Sequence, residues 1–105
     1  MDELSINNIR GLCVKGAIQW TNHIMIRLAQ RDISRADIKA AIMAGEIIEY
    51  YPTDYPRPSC LILGHMTGRP IHVVVGVENE RLWMITAYRP DAGRWSADFR
   101  QRKEK

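Results

Sequence analysis

The sequence predicts an α+β fold, with amino-terminal helices packed on one face of a four-stranded antiparallel sheet and a short helix at the carboxy terminus. The prediction depends on a change in the spacing of apolar residues. Up to Gly45 they recur every three or four positions, as on one side of a helix, and after Gly45 they alternate at a period of two. β-branched and aromatic residues are also enriched after Gly45, which favours strands.

Three helices are expected before the spacing changes. Their expected ranges are Leu4–Val14, Thr21 or Asn22 to about Arg31, and Ser34 to Gly45. Residues that typically begin or end helices support these limits. Ser34 and Asp37 resemble a capping box, and the Lys15-Gly16 pair is a typical helix stop.

Four strands are expected after Gly45, over Ile47–Tyr51, Cys60–Leu63, Ile71–Val77 and Leu82–Tyr88. Three prolines in the link between the first two strands exclude a helix there. The remaining links are short and rich in turn residues, so the strands should form an antiparallel meander. After the last strand, Trp95 to Arg102 is expected to form a short helix that docks through Trp95 and Phe99.

The chain has 105 residues and is expected to form a single domain, residues 1–105. With 46% hydrophobic and 26% charged residues, its composition is typical of a globular protein. The formal net charge is +3, and part of this excess lies in the basic tail 100–105, which is expected to be solvated and frayed. This balance permits RNA, DNA or an acidic protein as a partner, although it is weaker than the basic stripe of a dedicated nucleic-acid-binding protein.

Localisation and redox state are also indicated by the sequence. Asp2 and Glu3 stand where a signal peptide would carry basic residues, and no apolar run is long enough to span a bilayer, so a cytoplasmic protein without a membrane segment is expected. Cys13 and Cys60 are far apart and lie among apolar residues, so both are expected to be reduced core thiols. No metal-binding motif is present, and no cofactor is expected.

Polar groups gather around the last two predicted strands. His72 lies among apolar residues of the third strand, and Thr86, Tyr88 and Arg89 lie at the end of the fourth. Because histidine titrates near neutral pH, His72 could act as a general acid or base with Tyr88 as its hydrogen-bonding neighbour. The alternative is a half-buried structural histidine. Whether His72 lies opposite Thr86 or Tyr88 stays open, since the register of the hairpin does not follow from sequence.

The predicted second helix carries a further polar set. His23, Arg27 and Arg31 are spaced by four residues, which indicates one shared helix face. Arginine binds phosphate through paired hydrogen bonds, and a nearby histidine could move a proton. With Arg89, this set suits a phosphate-bearing substrate that is handled without a metal ion. The alternative is a solvated helix face.

Four segments of the chain are informative in combination. They are His23-x3-Arg27-x3-Arg31-x-Ile33, Gly45-Glu46-Ile47-Ile48-Glu49-Tyr50-Tyr51-Pro52, Pro70-Ile71-His72-Val73-Val74 and Ile85-Thr86-Ala87-Tyr88-Arg89-Pro90-Asp91. Their order and spacing, over a core of residues 21–95, resemble the bacterial family called domain of unknown function 4258. This resemblance implies a layout similar to RelE-like and MqsR-like ribonucleases. It also implies a toxin that is paired with an antitoxin of the zinc-finger type.

The expected function is that of a toxin-like, metal-independent endoribonuclease with RNA as its substrate. In such an enzyme one imidazole removes the ribose 2′-hydroxyl proton, another protonates the departing 5′-oxygen, and arginines stabilise the phosphoryl charge. The expected catalytic residues are His23, His72 and Tyr88, and the expected substrate-binding residues are Arg27, Arg31, Thr86 and Arg89. The alternative is a non-catalytic module that binds a protein or a nucleic acid, with the same residues forming a buried polar network.

Overall fold

The structure is a computed structural model that describes residues 4–103. Within this range the chain forms three α-helices and five β-strands. In chain order the elements are α1 (Ile6–Lys15), β1 (Ile18–Gln19), α2 (Asn22–Gln30), α3 (Arg35–Ala44), β2 (Glu46–Tyr51), β3 (Ser59–Met66), β4 (Arg69–Glu78) and β5 (Arg81–Tyr88). None of the helices in residues 4–103 has the length and apolar character needed to cross a membrane.

Side-chain caps define where the helices begin. Ser5, Thr21 and Ser34 are the N-caps of α1, α2 and α3, and each side chain accepts a hydrogen bond from a backbone N–H of the first turn. At α3 the predicted capping box is confirmed, because Asp37 accepts a hydrogen bond from the Ser34 backbone N–H in return. The predicted stop of α1 is also confirmed, since Gly16 follows it with a φ of +76°.

The strands of the described range form one sheet in the order β1-β5-β4-β3-β2. β2, β3, β4 and β5 are successive antiparallel neighbours, which confirms the predicted meander. Thr67 and Gly68 have positive φ in the β3–β4 turn, as do Asn79 and Glu80 in the β4–β5 turn. Two such residues in succession give a tight turn whose twist matches that of the flanking strands.

The prediction of four strands, all antiparallel, is wrong in both respects for residues 4–103. β1 pairs in parallel with β5, with Ile18 beside Leu82 and Gln19 beside Trp83. A strand of two residues is too short to show the alternation of apolar and polar side chains by which strands are predicted. It exists because α1 and α2 bring the link between them alongside β5.

The side of the sheet that faces the helices forms the main hydrophobic core. Alternate residues of β4, namely Ile71, Val73, Val75 and Val77, lie on this side and are buried. The largest buried residues of the helices are Ile9, Ile24, Leu28, Ile38 and Ile42. The helical and alternating patterns in the sequence therefore correspond to the two layers of this core.

The opposite side of the sheet carries no helix in the described range, yet it is also buried. Leu61, Leu63 and His72 lie on this side and are at most 3% exposed. The loop between β2 and β3 covers one end, where the Arg57 guanidinium lies 4.0 Å from the centre of the Trp83 ring. Residues that follow β5 cover the other end, beside His72.

Residues 94–103 form a hairpin, named here the carboxy-terminal hairpin, in place of the predicted short helix. The Ser96 backbone N–H donates to the Gln101 carbonyl at 2.7 Å, and the Lys103 N–H donates to the Arg94 carbonyl at 2.9 Å. The basic tail is exposed up to residue 103, as expected, but it is hydrogen-bonded within this hairpin rather than frayed. Residues 104 and 105 of the tail lie outside the described residues.

Local side-chain hydrogen bonds explain why this segment is not helical. Asp98 accepts hydrogen bonds from the Ser96 hydroxyl at 2.6 Å and from the Arg100 backbone N–H at 3.1 Å. Such short-range bonds compete with the helical ones. Phe99 follows with a φ of +61°, which no right-handed helix contains. The predicted apolar pair of Trp95 and Phe99 therefore does not share a helix face.

Candidate functional site

His72 on β4 lies directly opposite Tyr88 on β5, whereas Thr86 lies opposite Val74. The structure thus gives the register that the sequence leaves open. The His72 Nδ1 is 3.4 Å from the Tyr88 hydroxyl oxygen, and the Nε2 is 3.0 Å from the backbone carbonyl oxygen of Phe99. His72 is fully buried, so its polar atoms interact with the protein and not with solvent.

The protonation of His72 follows from its partners. The Phe99 carbonyl can only accept, so the Nε2 of His72 carries a proton and donates it. Burial lowers the pKa of His72, although the Phe99 carbonyl and the Glu49 carboxylate oppose this shift. The ring is therefore neutral at pH 7, and its Nδ1 accepts from the Tyr88 hydroxyl. Burial also raises the pKa of Tyr88, so this hydroxyl keeps its proton.

Trp95 of the carboxy-terminal hairpin closes the site from the other side. Its ring centre lies 4.4 Å from that of His72, with an angle of 84° between the rings, which is an edge-to-face contact. Trp95 is itself 4% exposed, and the Arg102 guanidinium lies 4.7 Å from its ring centre. The hairpin thus separates His72 from solvent.

Ion pairs tie the carboxy-terminal hairpin to β2. Arg102 donates to the two carboxylate oxygens of Glu49 at 3.0 and 3.1 Å, and Arg100 donates to Glu46. Burial alone would raise the pKa of Glu49, but hydrogen bonds from Arg102 and Tyr51 outweigh it and the pKa is lowered. The hydrogen bond from Arg100 lowers the pKa of Glu46. Both carboxylates are therefore charged at neutral pH.

A cavity of about 310 Å³ opens between the end of β5 and the carboxy-terminal hairpin. We call it the arginine pocket. It is lined by Tyr88, Arg89, Asp91, Arg94, Trp95 and Arg102. Tyr88 connects the pocket to His72, because the hydroxyl next to the His72 Nδ1 belongs to this lining side chain. The three arginines outnumber the one carboxylate, that of Asp91, in this lining, which suits an anion that has oxygen acceptors, such as a phosphate.

Two arginines tie the end of α2 to the end of β5. Arg31 donates to the Thr86 hydroxyl at 3.1 Å and to the Ala87 carbonyl at 2.8 Å. Arg89 donates to the carbonyls of Arg31 and Asp32, at 2.6 and 3.3 Å. Neither guanidinium forms an ion pair with another described residue. Of the two, Arg89 lines the pocket.

The predicted site residues on β4, β5 and the end of α2 lie in two contacting groups. His72 and Tyr88 form one group, and Arg31, Thr86 and Arg89 form the other. Tyr88 and Arg89 are neighbours in the chain and both line the arginine pocket. The structure therefore joins these two groups at the end of β5.

The remaining predicted residues, His23 and Arg27, are exposed on α2 and do not line the pocket. Neither side chain forms a hydrogen bond or ion pair with another described residue. Arg31 follows the last helical residue of α2, and its guanidinium bonds to Thr86 and Ala87 of β5.

Arg94, Trp95 and Arg102 are pocket residues that the sequence did not indicate. They meet because the hairpin folds back on itself, which brings Trp95 beside Arg102. No spacing rule predicts this, since the segment has neither a helical nor an alternating pattern. The dense run of arginines after Tyr88 is the one sequence feature from which they could have been inferred.

Other chemistry-bearing residues lie away from the pocket. Cys13 and Cys60 are free and buried, and burial raises the pKa of the Cys60 thiol to about 12, so it stays protonated. His65 is exposed at the end of β3. Among residues 4–103 no group of three or more histidine, cysteine or carboxylate side chains is arranged to hold a metal ion. Among the described residues, the arginine pocket is therefore the candidate functional site.

The fold and site define an α+β protein with an arginine-lined pocket at one end of its sheet. The chain belongs to the family described as Domain of unknown function (DUF4258), whose model matches residues 20–89. The match contains His72, Tyr88 and Arg89, but it ends before the pocket residues of the carboxy-terminal hairpin. No curated protein and no solved structure matches the chain.

Proposed function

We propose that the protein binds RNA at a phosphodiester in the arginine pocket and cleaves it without a metal ion, as a toxin-like endoribonuclease. The observation that carries this proposal is the position of the Tyr88 hydroxyl. It contacts the buried His72 imidazole, and Tyr88 is one of the residues that line the pocket together with Arg89, Arg94 and Arg102. Cleavage of RNA by its own 2′-hydroxyl requires proton transfer and stabilisation of phosphoryl charge, and these groups can supply both.

Arg89 is the main phosphate-binding residue in this proposal. Its guanidinium donates to backbone carbonyls, which carry no net charge, so its positive charge is not neutralised by an ion pair with another described residue. Arg94 and Arg102 line the same pocket. Guanidinium groups bind phosphoryl oxygens through paired, charge-assisted hydrogen bonds. Arg31 and Thr86 contribute indirectly, because the hydrogen bond between them fixes the end of β5 to the end of α2.

Proton transfer runs through Tyr88 because His72 is buried. The ribose 2′-hydroxyl gives its proton to the Tyr88 oxygen while Tyr88 gives its own to the His72 Nδ1, and the 2′-oxygen attacks phosphorus. The imidazolium that forms is stabilised by the Phe99 carbonyl and the Glu49 carboxylate. The 5′-oxygen leaves and takes a proton from water, and His72 returns its proton through Tyr88 to the hydroxide that remains, which restores the neutral imidazole. The products are a 2′,3′-cyclic phosphate and a 5′-hydroxyl end.

This mechanism gives His23 and Arg27 no part in the chemistry, because neither lines the pocket. Both are exposed on α2, outside the pocket. As a toxin, the protein would act in the cytoplasm and be paired with an antitoxin. For that antitoxin the family resemblance suggests a zinc-finger protein.

A second candidate is a module that binds RNA or a protein without cleaving RNA. The complete burial of His72 favours it, because both ring nitrogens already have partners inside the protein. In this case the imidazole anchors the carboxy-terminal hairpin, Tyr88 donates its hydroxyl proton to His72, and the arginines of the pocket hold the bound anion. The two candidates share the pocket and differ in whether a proton is transferred.

Incubation of the protein with a short fluorescent oligoribonucleotide in the presence of EDTA tests the proposal. The wild type is expected to produce 2′,3′-cyclic phosphate ends. Tyr88→Phe is expected to lower the cleavage rate by about 10²- to 10⁴-fold, the usual contribution of general acid–base catalysis, while RNA binding is retained. His23→Ala is the matched control and should cleave like the wild type.

Each other outcome has a definite meaning. Binding without cleavage by the wild type would favour the second candidate. A Tyr88→Phe variant that cleaves at the wild-type rate would remove Tyr88 from the mechanism. Arg89→Ala should weaken binding of the oligonucleotide, and equal affinities of this variant and the wild type would contradict phosphate binding in the arginine pocket.

A further inference from the structure

The arginine pocket has walls of two different origins. Tyr88 and Arg89 belong to β5 and to the part of the chain that matches the family. The other lining residues follow that match, and Arg94, Trp95 and Arg102 of these belong to the carboxy-terminal hairpin. The hairpin therefore adds cationic groups to a pocket of which the family-matched part of the chain forms only one wall.

The hairpin is fixed on the sheet by a contact outside the pocket. Arg100 does not line the pocket; it donates to Glu46 at the start of β2 and also pairs with Asp98 at 3.5 Å. The side chains of Arg100 and Glu46 are 48% and 50% exposed. Because Arg100 is two residues from Arg102, the strand of the hairpin that carries both is held along β2.

We infer that the carboxy-terminal hairpin is the ligand-selecting half of the arginine pocket, and that Glu46 positions the pocket arginines through Arg100. The inference rests on the proposed binding of an RNA phosphodiester. Among the described residues Glu46 forms no side-chain hydrogen bond with a lining residue, so its effect passes through the hairpin alone. It is a positioning residue, and it acts by keeping Arg102 and Arg94 where a phosphate can meet them together with Arg89.

The physical basis is preorganisation. A hairpin that is loose before binding must be ordered by the ligand, and the free energy of ordering its arginines lowers the affinity. Docking on Glu46 and Glu49 orders them in advance. Loss of one exposed ion pair has a small effect, but a carboxylate at position 100 would be repelled by both Glu46 and Asp98 and would drive the hairpin from β2.

Binding of a fluorescein-labelled oligouridylate, followed by fluorescence anisotropy, tests the inference. Arg100→Glu is expected to weaken binding about tenfold, and Arg100→Ala about twofold, as the loss of one exposed ion pair predicts. The double variant Glu46→Arg with Arg100→Glu restores the ion pair in reverse and should recover most of the affinity. Affinities are compared at a temperature at which circular dichroism shows every variant to be folded, so that a less stable fold does not contribute to the difference.

The matched control is Arg81→Glu, which makes the same change of charge at the exposed start of β5, at the other end of the sheet from His72 and Tyr88. It should weaken binding far less than Arg100→Glu. Equal effects of the two variants, or no recovery in the double variant, would contradict the inference without contradicting phosphate binding in the pocket.

Failure of the proposed function gives a different result. If Arg89→Ala binds as the wild type does, or the wild type does not bind the probe, the proposed function is wrong, and the inference that rests on it is wrong as well. If Arg100→Glu does not fold, the affinity of Arg100→Ala is compared with that of the wild type instead, and an unchanged affinity contradicts the inference.

Discussion

A neutral imidazole links the sheet to the carboxy-terminal hairpin. His72 donates to a hairpin carbonyl, contacts a hairpin indole and accepts from Tyr88 on the neighbouring strand. The sequence indicated that His72 and Tyr88 lie on neighbouring strands, but it left open whether His72 lies opposite Thr86 or Tyr88, and the structure gives Tyr88. The sequence did not predict the complete burial of His72, since that depends on residues of the hairpin, which has no recognisable pattern.

We expect the stability of the protein to decrease as the pH falls below about 6.5. Burial lowers the pKa of His72 in the folded state, so between the folded and unfolded pKa values the unfolded chain binds more protons. The contribution is fully present above the unfolded pKa and is lost as the pH falls toward the folded one. Urea unfolding above and below this pH measures it.

The variant His72→Gln should lose this pH dependence and unfold more easily by about 1–3 kcal/mol at neutral pH, because the buried hydrogen bonds are altered. His23→Gln is the control, since His23 is exposed and should leave the pH profile as it is in the wild type. A profile for His72→Gln as steep as that of the wild type would show that another group causes the effect.

At the scale of elements, helix caps and tight turns were predictable because each is specified by a few adjacent residues. Ser34 with Asp37 and Thr67 with Gly68 are such cases. β1 and the carboxy-terminal hairpin were not predictable, because they form only when another part of the chain lies alongside.

One contact between elements depends on the absence of a side chain, at Gly64 of β3. Gly64→Ala is expected to lower the free energy of unfolding by about 1–3 kcal/mol, because added volume in a packed core forces a shift. A Cβ at Gly64 would lie 2.6 Å from the Ala41 Cβ and 2.8 Å from the Ala41 carbonyl oxygen, both on α3. Gly11→Ala in α1 meets no atom within 4 Å and should raise the same quantity by up to about 1 kcal/mol. Urea unfolding of the two variants checks the opposite signs, and a stabilised Gly64→Ala would contradict the close approach.

For the whole molecule, the sequence predicted the fold class and the helical side of the sheet but not the way its second side is covered. The alternating pattern of β4 separated His72 from the core valines. It did not indicate which segment covers the side of the sheet that carries His72. The carboxy-terminal hairpin is that segment, and it also completes the pocket. The part of the site and the part of the fold that the sequence did not predict thus belong to the same segment, the carboxy-terminal hairpin.

A chain that ends at Gly93 is expected to unfold more easily by about 3–5 kcal/mol, the usual effect of removing a buried tryptophan, because it loses Trp95 and uncovers His72. A chain that ends at Lys103 keeps the whole hairpin and serves as the control. Thermal unfolding followed by circular dichroism compares them. Equal midpoints would mean that the hairpin adds nothing to the stability of the sheet.

The short strand β1 also affects how copies of the protein behave toward one another. Because Ile18 and Gln19 pair with β5, the strand that carries Tyr88 is an interior strand. An uncovered strand invites aggregation, since its open N–H and C=O groups can recruit a strand from another molecule. At the opposite margin, the irregularity in β2 between Ile47 and Glu49 interrupts such a row of groups. A two-residue pairing and a local irregularity thereby guard a small sheet against self-association.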